Sequence, residues 1–117
     1  MGNFQKLRVW QDSKDLAVKI YKLSKEKEFS KDYGFRDQIQ RAVVSIPSNI
    51  AEGDESGSNK QSVRYLYIAK GSVAELQTQI LIAHDIGYVD LKTKTEIMKE
   101  CDMISIMLRR LIDTRKG

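Results

Sequence analysis

The sequence has 117 residues, of which 41% are hydrophobic and 31% charged, and its formal net charge is +4. A chain of this size forms one domain, covering residues 1–117, that can bury about two-thirds of the surface its unfolded form exposes. No apolar run reaches the roughly 18 residues of a membrane span. The N-terminus lacks the apolar core of a signal peptide, and the single cysteine cannot form an internal disulfide. We therefore expect a cytoplasmic protein that has no membrane partner.

The first predicted helix covers residues 10–27 and carries a cluster of lysines. Leu16, Ile20 and Leu23 recur at helical spacing, so they mark its buried face. The outer side has three lysines around Tyr21, which are Lys14, Lys22 and Lys25. Such an arrangement suits the binding of phosphate groups next to a stacking side chain. Packing at the edge of the core is the alternative role for Tyr21.

Residues 28–34 are predicted to form a loop, and residues 35–52 the second helix, which contains the only proline. Apolar residues recur there at four-three-four spacing, at Ile39, Val43, Ile46 and Ile50. A proline in a helix interior removes a backbone donor and costs about 3 kcal/mol. Pro47 is therefore predicted to kink this helix, and Gly53 is predicted to end it.

A polar stripe follows another side of the second helix. It consists of Arg41, Ser45, Ser48 and Glu52. The two serines flank Pro47 and are expected to bond backbone groups that the kink releases. Asn49 and Glu52 are expected to be held in polar contacts, within the bundle or across subunits, because a carboxylate at a helix C-terminus needs a compensating partner. The alternative is that the stripe is a recognition site.

The segment Ser45–Gly53, with the sequence SIPSNIAEG, is preceded by Gln38-Ile39 and Arg41-Ala42. It closely resembles the signature of the four-helix-bundle proteins encoded in intervening sequences of bacterial large-subunit (23S) ribosomal RNA genes. Residues 7–10 and 71–88 are similar to further parts of that family's pattern. The resemblance implies an antiparallel bundle that assembles as a homopentamer, with a suspected nucleic-acid role and no catalytic residues. Ser30 and Arg36 depart from the pattern, so the start of the second helix is not fixed by it.

The third helix is predicted over residues 59–86, after a flexible connector. Ser58 and Gln61 form a capping box at its start, and Gly87 supplies a stop at its end. Its apolar seam keeps a strict three-four alternation, through Leu66, Ala69, Val73, Leu76, Ile80 and Ala83. This pattern is typical of a helix bundle. Gly71 lies inside the helix and is expected to allow another helix to approach closely.

A second apolar stripe lies on the same helix, roughly 130° from the seam at 100° per residue. It consists of Val63, Tyr67, Ala74 and Leu81. A helix of a monomeric bundle buries one broad stripe, so a second stripe indicates either a subunit interface or an unusually wide core. We favour the interface.

The fourth helix is predicted over residues 91–115 and begins either after Asp90 or one turn later, at a box formed by Thr93 and Glu96. Its seam places Cys101 in the core as a small hydrophobic residue. Basic residues crowd its last turns, at Arg109, Arg110 and Arg115. Cations also suit the negative end of a helix, so helix capping competes with ligand binding as their role.

No cluster of reactive groups is visible in the sequence. His84 and Cys101 lack further zinc ligands, and Ser45 and Ser48 lack a neighbouring base. The acidic residues near Gly53 match no calcium loop and are interpreted as part of the connector. We therefore expect a protein that binds no metal, cofactor or small-molecule substrate and that is not an enzyme.

Together these patterns predict an all-α protein, an antiparallel up-down-up-down four-helix bundle with a kinked second helix. Basic residues are concentrated near both ends of the sequence, and the first and last helices of such a bundle can lie side by side. The first functional hypothesis is an oligomeric protein that binds RNA or DNA without sequence preference. The second is a protein-binding scaffold whose charges only keep it in solution. The sequence does not decide between them.

Overall fold

The computed structural model describes residues 3–117, in which the chain is helical and contains no strand. Residues 1 and 2 of the predicted domain lie outside the described range. A short 3-10 helix, Phe4–Lys6, is followed by α1 (Arg8–Leu23), α2 (Lys27–Lys31), α3 (Tyr33–Glu55), α4 (Asn59–Asp85) and α5 (Leu91–Lys116). The all-α prediction is therefore confirmed.

Helix α2 occupies most of the segment predicted to be a loop, so that prediction was wrong. Phe29, within α2, is 1% exposed and lies against two aromatic rings. Its ring centroid is 5.6 Å from that of Phe35 and 5.3 Å from that of Tyr88. A single buried residue in a five-residue helix produces no periodicity, which is why the sequence pattern did not indicate it.

Helix α3 begins two residues earlier than predicted because Asp32 caps it. The Oδ1 atom of Asp32 accepts a hydrogen bond from the backbone N–H of Phe35 at 3.3 Å. Its Oδ2 atom accepts one from the hydroxyl of Tyr88 at 2.8 Å, and this bond raises the pKa of Tyr88 above its usual value. One carboxylate thus fixes the start of α3 and the segment that precedes α5.

Gly53 does not end α3, as the sequence had predicted, because the helix continues to Glu55. Gly53 is buried, and a Cβ atom there would lie 3.2 Å from the backbone oxygen of Ser62 and 3.4 Å from Cγ of Leu66. Its role is therefore close approach between α3 and α4. Gly71, predicted to have that role, is exposed and has nothing within 4 Å of such a Cβ atom.

The predicted ends of α4 are confirmed by their hydrogen bonds. Ser58 Oγ accepts from the backbone N–H of Gln61 at 3.2 Å. At the other end Gly87 has a φ of 86°, and the N–H of Tyr88 donates to the carbonyl of Ala83 at 2.8 Å. A positive φ of this kind at the residue after a helix strongly favours glycine.

Helix α5 opens at the first of its two predicted starts. Asp90 Oδ1 accepts a hydrogen bond from the backbone N–H of Thr93 at 2.8 Å, so Asp90 is the cap. The bonds from Thr93 lower the pKa of Asp90, since they stabilise its charged form.

The four long helices pack around one core. Helix α3 contacts α1 and α4, and α5 contacts α4 and α1. The chain measures 44 × 22 × 20 Å along its principal axes. None of the described helices is long and apolar enough to cross a membrane. The largest fully buried side chains include the predicted core residues Ile39, Ile46, Ile50, Leu66, Leu76 and Ile80. Ile97, Ile104 and Leu108 of α5 are equally buried.

Candidate functional site

The three lysines predicted on the first helix come together in one groove. Lys14, Lys22 and Lys25 lie along the groove between α1 and α3, which has a volume of about 610 Å³. They are exposed at the surface of the described chain. The remaining lining is mainly apolar and aromatic and contains no acidic side chain; it consists of Trp10, Ala17, Val18, Tyr21, Val44, Pro47, Ser48 and Ala51. The groove therefore combines an apolar floor with a positive rim.

The opposite side of α1, which faces α5, has a different charge pattern. Lys19 Nζ lies 3.2 Å from Glu100 Oε1 and 3.8 Å from Glu96 Oε2. The two carboxylates compensate the positive charge of Lys19. Helices α1 and α5 are in contact, as expected. The lysines of the first helix and the arginines Arg109 and Arg110 of α5 nevertheless line different grooves and do not form one surface.

Arg109 and Arg110 lie in a shallow recess between α4 and α5 together with Lys70. Lys70 was not among the predicted basic residues, because it is 39 residues from Arg109 in the sequence and is brought near it only by the packing of α4 on α5. Arg109 Nε is 3.9 Å from Asp113 Oδ2, and both side chains are largely exposed. Lys70, Arg109 and Arg110 together give the recess three basic side chains.

Arg115 is engaged inside the protein. Its Nη2 atom donates to Asp54 Oδ1 at 3.0 Å, and its Nη1 atom donates to the hydroxyl of Ser62. The side chain of Arg115 is 20% exposed and that of Asp54 only 8%. Asp54, interpreted from the sequence as a connector residue, instead lies in α3 and pairs with Arg115, which ties the end of α3 and the start of α4 to the end of α5. Phosphate binding by Arg115 stays a prediction that competes with this contact.

The motif around Pro47 contains a hydrogen-bonded chain between α3 and α4. Asn49 Nδ2 donates to the carbonyl oxygen of Ser45 at 2.8 Å and to its hydroxyl at 3.0 Å. The hydroxyls of Ser45 and Ser72 are 2.8 Å apart, and Ser72 Oγ donates to the carbonyl of Ile68 at 3.1 Å. The expected polar contacts of Asn49 are confirmed.

The rest of the polar stripe is at the surface. Arg41, Ser48 and Glu52 are exposed, and Ser48 lines the lysine groove. Glu52 makes no side-chain hydrogen bond or ion pair with any part of the chain between residues 3 and 117. A polar contact of Glu52 across subunits stays a prediction.

Helix α4 exposes more apolar surface than the predicted stripe contains. Val63 packs against the core, whereas Tyr67, Ala74 and Leu81 are exposed. Two further side chains were missed: Ile68 is 49% exposed and Ile82 is 45% exposed. They lie fourteen residues apart with Glu75 midway, so in the sequence this side of α4 has the pattern of an ordinary polar face.

The two side chains with the greatest chemical reactivity are Cys101, which is buried, and His84, which contacts a backbone carbonyl. Cys101 is buried, which raises the pKa of its thiol to about 12 and keeps it protonated near neutral pH. His84 Nδ1 is 3.0 Å from the carbonyl oxygen of Val89. Among residues 3–117 there is no group of three or more histidine, cysteine, aspartate or glutamate side chains placed to hold a metal ion.

The fold and these surfaces define a small all-helical protein that presents exposed apolar and basic side chains. The chain belongs to the 23S rRNA-intervening sequence protein family, whose model matches residues 5–110. The resemblance found in the sequence is thereby confirmed.

A similar fold is found in the crystal structure of a protein of unknown function from the S23 ribosomal protein family of Bacteroides thetaiotaomicron. The TM-score is 0.82 at 24% sequence identity, over 89% of this chain and 97% of that one. A search of the curated proteins gives no match.

Proposed function

We propose that this chain is a non-enzymatic protein that self-assembles, with its four long helices arranged as an antiparallel up-down-up-down bundle and α3 kinked at Pro47. We propose a homopentamer as the assembly. The number five rests on the family resemblance alone.

Contacts between helix ends support the antiparallel arrangement. Arg115, near the end of α5, bonds Asp54 at the end of α3 and Ser62 at the start of α4. Tyr88, just before α5, bonds Asp32 just before α3. Lys19, near the end of α1, pairs with Glu96 and Glu100 in the first half of α5. These neighbours fit helices that alternate in direction.

The exposed apolar face of α4 is the observation that carries the assembly proposal. Tyr67, Ile68, Leu81 and Ile82 are each between 41% and 49% exposed on one helix that already buries a full seam. Monomeric proteins rarely leave so many large apolar side chains on one face uncovered, because their contact with water is unfavourable. A second copy of the chain would remove them from water.

Light scattering of the purified chain at tens of micromolar tests this proposal. We expect a mass that is a multiple of 13.4 kDa, with five copies if the family resemblance holds. Ile82→Lys should weaken the association while circular dichroism stays helical, because it places a charge in the apolar face. Lys92→Glu, an exposed change at the start of α5, is the control and should assemble normally. A monomeric wild-type chain at this concentration would contradict self-assembly.

The recess formed by Lys70, Arg109 and Arg110 favours a second candidate function, weak binding of RNA or DNA. Lys14, Lys22 and Lys25 would add to it wherever they are accessible. A protein that neutralises several phosphates releases counterions, so its affinity falls as salt rises and depends little on sequence. Repetition of these groups around an assembly would multiply weak contacts.

Filter binding over a series of salt concentrations tests the nucleic-acid proposal. We expect log affinity to fall by about 0.9 per unit of log salt for each duplex phosphate contact. Arg110→Glu should lower both the affinity and the salt slope, whereas the control Lys92→Glu, with the same change of charge, should alter them less. Equal effects of the two variants would indicate only an average charge effect. Absence of retention at low salt would leave the basic residues as solvated surface.

A further inference from the structure

We infer that the groove between α1 and α3 of one copy receives the outer face of α4 of a neighbouring copy. This inference rests on the proposed self-assembly and names the two surfaces that would form it. The lysine groove is the groove lined by Lys14, Lys22 and Lys25. The isoleucine strip is the line formed by Ile68, Glu75 and Ile82 on α4.

The lysine groove requires a partner that is both apolar and acidic. Val18, Tyr21 and Val44 are exposed along it, and no acidic residue lines it. Lys14 Nζ pairs with Asp15 Oδ1 beside the groove at 2.8 Å, so Lys22 and Lys25 supply most of its positive charge. Burying these apolar side chains would favour association, but the lysines would repel a basic or strongly hydrated partner.

The isoleucine strip has both properties. Ile68, Glu75 and Ile82 follow one another at seven-residue spacing, so they lie on one side of α4. Glu75 lies within the strip and Asp85 follows Ile82 by three residues, whereas Arg64 lies beside Ile68 at the other end. Charge complementarity therefore pairs the C-terminal half of the strip, around Glu75 and Ile82, with the lysine groove.

The other exposed strip of α4 does not fit the lysine groove. Lys116 Nζ lies 5.9 Å from the centre of the Tyr67 ring, and Lys70 and Arg109 border the recess that contains Tyr67 and Ala74. That strip is therefore flanked by positive charge. Its burial against the three lysines would place like charges together.

The lengths and positions of the two surfaces are also compatible. The groove follows α1 from Trp10 to Lys22, about 18 Å at 1.5 Å per residue, and the isoleucine strip spans about 21 Å from Ile68 to Ile82. Helix α1 ends at Leu23, earlier than predicted, so Lys25 lies just beyond it. Helices α1 and α4 each contact α3 and α5, so they occupy opposite corners of the bundle. A contact that joins different surfaces of identical copies is heterologous, and such contacts build a closed ring when their rotation allows it.

Charge reversal on each surface tests the inference. Lys22→Glu/Lys25→Glu changes the groove, and Glu75→Lys/Asp85→Lys changes α4. We expect each pair of reversals to weaken association at low salt by tenfold or more in light scattering or sedimentation, with unchanged helicity. The chain that carries all four changes should associate again, because opposite charges then face each other. Lys92→Glu is the control for altered net charge.

The outcomes separate this inference from the proposal on which it rests. A monomeric wild type removes self-assembly itself. If the wild type assembles and either pair of reversals leaves its association constant unchanged, the inferred surfaces are wrong. Failure of the four-fold variant to associate would also overturn the inference. If the groove reversal preserves assembly and abolishes retention of RNA, the groove is a nucleic-acid surface and the contact between copies lies elsewhere.

Discussion

Replacing Arg115 with methionine is expected to lower the free energy of unfolding by about 3 kcal/mol, because it leaves a buried carboxylate without its partner. Asp54 has a side chain that is only 8% exposed, and its Oδ2 atom already lacks a hydrogen-bond partner in the described chain. Methionine retains most of the aliphatic length of arginine, so what is lost is the charge pair with Asp54 together with the hydrogen bond to the hydroxyl of Ser62. Urea denaturation followed by circular dichroism measures the change.

Arg109→Met provides the matched control on the same helix. Arg109 also pairs with an aspartate, Asp113, but these side chains are 69% and 66% exposed. Water solvates both charges after the substitution, so we expect a loss below about 1 kcal/mol. Similar losses in the two variants would show that burial of the Asp54–Arg115 pair does not determine its importance.

Replacing Gly53 with valine is expected to lower the free energy of unfolding by about 2 kcal/mol through overpacking. A Cβ atom at this position would lie 3.2 Å from the backbone oxygen of Ser62 and 3.4 Å from Cβ of Tyr65. Because a backbone oxygen cannot rotate away, α3 and α4 would have to separate. The hydrogen bond between Ser45 and Ser72, on the same pair of helices, should weaken with them.

Gly34→Val is the control for the helical preference of valine. Gly34 lies in the same helix, is exposed, and has nothing within 4 Å of an added Cβ atom. We expect a change within about 0.5 kcal/mol of zero, measured by the same denaturation. If Gly53→Val were equally harmless, the packing of α3 on α4 would be looser than its geometry indicates.

Much of the helical organisation could be predicted from local patterns in the sequence. The three-four alternation from Leu66 to Ala83 marked the buried side of α4, because helical periodicity is a property of consecutive residues. The capping side chain of Ser58 and the glycine at position 87 were equally visible, since both act on backbone groups within a few residues. The signature around Pro47 indicated the family, because a motif of consecutive residues does not depend on tertiary structure.

The candidate site was only partly visible, because its groups come from different helices. Lys14, Lys22 and Lys25 could be grouped on one helix, but the apolar floor that α3 adds beneath them could not. Lys70 joins Arg109 and Arg110 only through the packing of α4 on α5. The isoleucines at positions 68 and 82 had no periodic signal of their own and became apparent only through their exposure.

What the sequence by itself determined is the set of properties that depend on near neighbours: the all-α class, the buried seams, several helix ends and the family. The tertiary structure decided the properties that depend on distant residues. From its local sequence Gly53 is expected to end a helix, and Arg115 to be a free cation near a helix end. In the structure Gly53 lies against the backbone of α4, and Arg115 pairs with a buried carboxylate of α3. Packing brought together groups that are 9 and 61 residues apart in the sequence.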